Sequence, residues 1–218
     1  MATDKLKIYN GALLLCEERS IASLTVNESA RRYLDEVWDD GGIQFCLEQG
    51  QWRFAMRSSK FTYDTGITPS FGYQRAFAKP DDWVNTSALC SDEYFNEPHL
   101  NYTDEAGYWY SDLDEIYVKY VSNHDNWGMN FAAWPFSFTE YVKAYFASRI
   151  VGRLAQKDTI KAGLLAKGGI RDTALDTALN RDAMAEPTKF PPRGSWVRAR
   201  QNNDSNWRDG GNRNQLIG

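Results

Sequence analysis

Few side chains in this sequence are suited to chemistry, and they are scattered. Histidine occurs twice, at His99 and His124. Both sit in loop-like segments, and neither has a Cys or a carboxylate at a spacing that holds a metal. They read as plain loop residues. Serines are common, yet none stands in a Gly-x-Ser-x-Gly turn, so a hydrolytic triad lacks its nucleophile elbow. There is no Gly-rich phosphate loop and no His-Glu-x-x-His. Asp112, Asp114 and Glu115 alternate closely enough for hard-cation chemistry. That stretch lacks the other ligands and the turn glycine of a helix–loop–helix calcium site, so it reads as a solvated hairpin turn. Tyr102, Tyr108, Trp109 and Tyr110 form an aromatic cluster of the kind that stacks sugars. The same rings suit a strand core or a subunit contact, which is the preferred reading. The expectation is a protein that is not an enzyme, with no catalytic residue, metal ligand or cofactor.

Composition points the same way. The 218 residues are 42% hydrophobic and 14% aromatic, with 8 Trp, 12 Tyr and 11 Phe. That is enough to bury a core without staples, and the aromatic share fits repeated subunit contacts. Cys16, Cys46 and Cys90 are odd in number and lack Cys-x-x-Cys spacing, as expected of ordinary buried thiols in a reducing compartment. No charged start leads into an apolar run, and no apolar stretch reaches 18 residues, so neither a signal peptide nor a membrane span is expected. The net charge of −4 argues against a general nucleic-acid binder. It also hides a polarity. Residues 186–218 carry six Lys or Arg against three Asp or Glu, a net +3 that leaves −7 on residues 1–185.

The elements that must carry these residues fall into three blocks. Apolar periodicity over roughly residues 4–18 predicts a helix capped by Asp4. Asn27 is placed to cap a second helix, weakened at Gly41-Gly42 but continuing to about Gln49. The pivot follows at Gly50-Gln51-Trp52-Arg53-Phe54-Ala55-Met56. There Gly50 can end the helix in a left-handed conformation, and Trp52 and Phe54 point to one side of a new strand. Strands are predicted at 54–63, 73–78, 100–109 and 115–121, with a turn at Asp81-Asp82-Trp83 before a short strand near 86–90. They would make a small antiparallel sheet or partly closed barrel. Helix returns after Pro135, capped by Ser137 or Thr139, and a fourth helix opens at Asp158 and loosens at Gly168-Gly169. The fold class is α+β. A mainly α-helical bundle of about four helices spans residues 1–50 and 135–185, around a β-rich insertion over 51–134. Residues 186–218 form an extended C-terminal tail, too polar and too rich in Pro and Gly to pack a core. Its Arg193, Trp196, Arg198, Arg200, Trp207, Arg213, Leu216 and Ile217 are spaced as anchors for a partner.

Five motifs stand in an order that resembles one family. They are Asn10-x-Ala12-Leu13, Ile21-Ala22-Ser23-Leu24, Asn27-Glu28-Ser29-Ala30, Gln51-Trp52-Arg53-Phe54-Ala55 and Lys79-Pro80-Asp81-Asp82. A helix opening Pro135-Phe136-Ser137-Phe138-Thr139-Glu140-Tyr141 and ending over 150–155 completes the pattern. Over about residues 6–185 the chain resembles the phage head–tail adaptor family, which includes tail tubular protein A and the tail accessory proteins of short-tailed phages. It departs from that family at Cys16-Glu17-Glu18, where a Gly-Glu pair is common, and at Gly41-Gly42.

The resemblance implies a ring, usually of twelve copies, in the virion neck between capsid and tail, assembled in the host cytoplasm. Such a ring docks under the portal protein, continues the DNA channel and presents its lower face to a nozzle, stopper or other tail component. Its C-terminal tail would embrace the portal, and Trp52 and Phe54 would lie in the seam between bundle and insertion. Genomic DNA would pass without sequence-specific contact, helped by the acidic body. The alternatives are another neck protein, such as a stopper or completion protein, and an aromatic-rich carbohydrate-binding module.

Overall fold

The computed structural model describes residues 4–70, 72–154 and 158–185. The chain divides into two units, Met1–Met184 and Ala185–Gly218. The expected tail and all eight of its anchor residues lie outside the described residues.

Helix α1 (Lys5–Leu15) begins at Asp4, whose carboxylate accepts the Lys7 N–H at 2.8 Å, the capping role expected of it. The helix stops short of residue 18. Glu17 takes a left-handed φ of 58°, which lets the Glu18 N–H reach the Leu13 carbonyl at 2.9 Å and close the end. Helix α2 (Ser29–Asp39) starts one residue later than expected, with Glu28 rather than Asn27 at its N-cap and no side-chain capping bond. It does not kink and continue. Gly41 adopts a left-handed φ of 81°, and α3 (Gly42–Glu48) begins afresh. A Cβ on Gly42 would fall 2.6 Å from the Val37 carbonyl oxygen and 3.2 Å from the Phe146 ring. One glycine turns the chain, and its neighbour lets the new helix pack closely.

Helix α4 (Phe136–Leu154) is the central element, and α1, α2, α3, α5 (Asp158–Leu165) and α6 (Ile170–Met184) all pack on it. Ser137 and Thr139 lie inside its first turns rather than capping it, and the Thr139 hydroxyl donates back to the Pro135 carbonyl at 3.2 Å. Tyr9, Leu13, Leu34, Cys46, Leu47, Phe138, Val142, Phe146 and Ile150 form one buried cluster around it. Each side chain of this size contributes about 1.5–3 kcal/mol when fully buried. The expected fourth helix is two. Gly168 turns left-handed between them, and the Asp172 carboxylate accepts its N–H at 2.9 Å, fixing where α6 starts.

The strands form two antiparallel sheets of three. One has the order β1 (Met56–Thr62), β6 (Glu115–Ser122), β3 (Trp83–Cys90); the other has β2 (Arg75–Ala78), β5 (Tyr108–Ser111), β4 (Thr103–Glu105). Phe77 and Trp109 of the second sheet meet Leu89, Ile116, Val118 and Tyr120 of the first in a separate buried cluster. The indoles of Trp83 and Trp109 both donate to the Thr86 hydroxyl, at 3.0 and 2.9 Å. The single strand expected over 100–109 is instead a hairpin. Ala106 and Gly107, with φ of 40° and 88°, make a two-residue turn of the type that matches the right-handed twist of paired strands.

Candidate functional site

The pivot departs from its expected geometry. Gly50 is not left-handed. A Cβ there would lie 2.8 Å from Leu179 of α6 and 3.1 Å from the Trp52 ring, so the glycine serves close approach. Trp52 and Phe54 do not share a strand face either, because Arg53–Ala55 is a 3₁₀ turn and β1 starts only at Met56. The Ala55 N–H donates to the Trp52 carbonyl at 3.1 Å, and the Arg53 N–H donates to the Asp182 carboxylate at 3.1 Å. That turn brings both rings onto α4. Trp52 sits edge-on to Phe138 at 4.8 Å, and Phe54 approaches the same ring at 4.7 Å. Burial pushes the Asp182 carboxyl above its ordinary value, and the Arg53 N–H opposes this.

Other motif residues make ties of shorter reach along the chain. The Asn10 amide brackets Ile21, donating to its carbonyl at 3.1 Å and accepting its N–H at 2.8 Å. One side chain on α1 thus fixes the turn before α2. Asp82, at the end of the Pro80 turn, accepts from Arg57 at 2.8 Å, from Tyr120 at 3.3 Å and from the Ser122 hydroxyl. Burial alone would raise its pKa. The hydrogen bonds from Ser122 and Arg57, with the Arg57 charge, reverse this and hold the carboxyl below its ordinary value. Arg57 also lies over the Trp127 ring at 4.7 Å. Lys79 pairs with Asp104 and lies 3.6 Å over the Trp83 ring. These residues hold the β-rich region in register.

The residues screened for chemistry are not brought together. Asp112 accepts the Gln74 N–H at 3.0 Å, Asp114 pairs with Arg75, and Glu115 pairs with Lys60 at 2.7 Å. Asp112 and Asp114 thus tie the start of β2, and Glu115 ties β1. His99 Nε2 lies 3.0 Å from the buried Ser111 hydroxyl, while His124 accepts the Asn126 N–H and meets the edge of Trp127. Among the described residues no group of three His, Cys, Asp or Glu could hold a metal ion. Trp109 is fully buried and cannot serve a sugar platform, which leaves Tyr108 and Tyr110 half-exposed on the other face of β5. All three cysteines are free and buried, and burial, with the Glu18 charge adding, pushes the Cys16 thiol up to about 11. Among the described residues no helix is long and apolar enough to cross a membrane.

What the fold does offer is an open groove of about 1000 Å³ between the start of α4 and helices α5 and α6. Phe136, Gly163, Ile170, Ala174 and Thr177 line it, with Glu140 and Arg181 as charged members. Phe136 is 78% exposed and Ile170 46%, unusual for a ring and a branched chain on a helix. Glu140 is paired with Lys143 at 2.8 Å; Arg181 makes no ion pair among the described residues. Sequence reasoning passed over this groove, although one signal was present. Phe136 and Phe138 stand two apart in a helix, about 200° around its axis, so only one can face the core.

No protein-family model matches this chain, and no curated protein matches it in sequence.

Proposed function

We propose that this chain is a structural head–tail adaptor of a tailed bacteriophage. About twelve copies form a ring that docks under the portal and continues the DNA channel to the next tail component. In this reading the helices of residues 1–50 and 135–185 bundle against neighbouring copies. Residues 51–134 project towards the tail, and the extended C-terminal segment 186–218 embraces the portal. Arg193, Trp196, Arg198, Arg200, Trp207, Arg213, Leu216 and Ile217 are its anchors.

The observation that carries the reading is what the motif residues do. Asn10 clamps Ile21, Trp52 and Phe54 share Phe138, and Asp82 gathers Arg57, Tyr120 and Ser122. The motifs at Asn10, Ile21, Trp52 and Asp82 thus supply ties between separate elements of the fold. Charge gives a second support. A body of −7 per copy lines a ring with negative potential, which keeps DNA from adhering as it passes. The test is imaging of the purified chain, alone and mixed with portal rings from a short-tailed phage. A ring, or a new layer under the portal, is the expected result.

A further inference from the structure

We infer that the α4–α5–α6 groove of one copy receives the α1–α2 connection of a second copy, with Leu14 and Leu24 as apolar anchors and Glu18 facing Arg181. This rests on the ring reading and adds the two surfaces that meet.

The groove presents Phe136 and Ile170 to water, so covering it removes apolar surface on both partners. Its occupant must also be apolar and exposed. Leu14 is 75% exposed at the end of α1, and Leu24 is 37% exposed in the connection that follows. Of the other exposed large apolar groups on the helices, Leu165 and Met184 lie on α5 and α6, the groove's own helices, and Phe45 is already stacked on Tyr145 of its own copy at 4.8 Å. Tyr94 and Leu100 are exposed too, but they belong to the β-rich region, which this reading directs to the tail.

Charge favours the same pairing. Residues 14–28 carry Glu17, Glu18 and Glu28 against Arg19, a net −2, whereas residues 136–184 hold eight Lys or Arg against five Asp or Glu, a net +3. Arg181, a groove residue without an ion pair among the described residues, can take Glu18, which is exposed two positions beyond the helix cap. The donating and accepting surfaces are different, so the contact is head-to-tail and can repeat around a closed ring.

The experiment uses the full chain, alone and with portal rings. Assembly is followed by particle mass, and contact by oxidative cross-linking of a Leu14→Cys, Thr177→Cys double variant. Native Cys16, Cys46 and Cys90 are buried, which keeps background linkage low. The expected result is a ladder of linked multimers. Arg181→Glu should weaken assembly about tenfold or more, and adding Glu18→Arg should restore it. Both positions are exposed, so unchanged melting of each variant is the folding control. Multimers that form without cross-links and ignore Arg181→Glu, or that are lost instead on Leu100→Ser, overturn this inference and leave the ring reading standing. A chain that stays monomeric and never joins the portal overturns both.

Discussion

The indole N–H of Trp52 donates to the Cys46 carbonyl across 3.0 Å, six residues back along the chain. Cys46 lies in the last turn of α3, where helix carbonyls have no intrahelical partner. The ring supplies that partner while its edge packs on Phe138. A single side chain thus ends one helix, anchors to the central helix and sets where the chain leaves for β1.

Removing that ring should be costly. Trp52→Ala is expected to destabilise by about 3–5 kcal/mol, the range for large aromatics lost from a core, and to lower Tm by roughly 10 °C. Trp52→Phe keeps most of the packing but strands the Cys46 carbonyl, at about 1–3 kcal/mol. Thermal unfolding of both variants checks the order. A Phe variant as unstable as the Ala variant would show that the hydrogen bond, rather than the ring, dominates.

Ala106 should respond in the opposite sense. Its φ of 40° places a Cβ in left-handed backbone, which costs an L-residue about 1–2 kcal/mol. Ala106→Gly relieves this but loosens the unfolded chain, leaving a net gain of roughly 0.5–1 kcal/mol. Urea unfolding reads the gain as a higher midpoint with unchanged slope. A lower midpoint would mean the strain at Ala106 is smaller than the entropy that glycine adds to the unfolded chain.

Asp82 gives a pH dependence with a definite sign. Its folded pKa is depressed, so its contribution is fully present above the unfolded carboxylate value of about 3.9 and is lost as pH falls below that. Asp82→Asn should therefore be less stable than wild type at neutral pH and lose less stability than wild type between about pH 6 and pH 3. Parallel acid limbs for the two proteins would refute the role given to the Arg57–Asp82–Ser122 cluster.

Deleting residues 187–218 should leave a folded body, since every buried hydrophobic residue described lies between Ile8 and Ala178. On the adaptor reading this truncation melts like the full chain but no longer co-sediments with portal. Undiminished portal binding would remove the docking role of the tail.

Much of the architecture was legible because long apolar periodicity and turn residues report local structure directly. Asp4 is the clearest case, as its cap depends only on a bond to the Lys7 N–H three residues on. The misreadings came where distant contacts override local preference. Gly50 looks like a helix terminator, but its neighbour is Leu179, over a hundred residues away. The Arg53–Ala55 turn is held by Asp182, equally remote. Gly107 signals a turn in the sequence, but the strand drawn over 100–109 runs through it, because Ala106 is not a residue that signals left-handed backbone. The groove was missed for another reason. The Phe136/Phe138 spacing shows that one of the two rings must leave the core, but which one, and that a groove forms there, follows from which helices surround α4.

Class averages of the purified chain mixed with portal rings test whether it forms an adaptor ring. A ring-shaped layer of about twelve copies beneath the portal, with a channel through its centre, is the expected result. Portal rings that remain bare, beside a monomer of 24.9 kDa at every concentration tried, would contradict it.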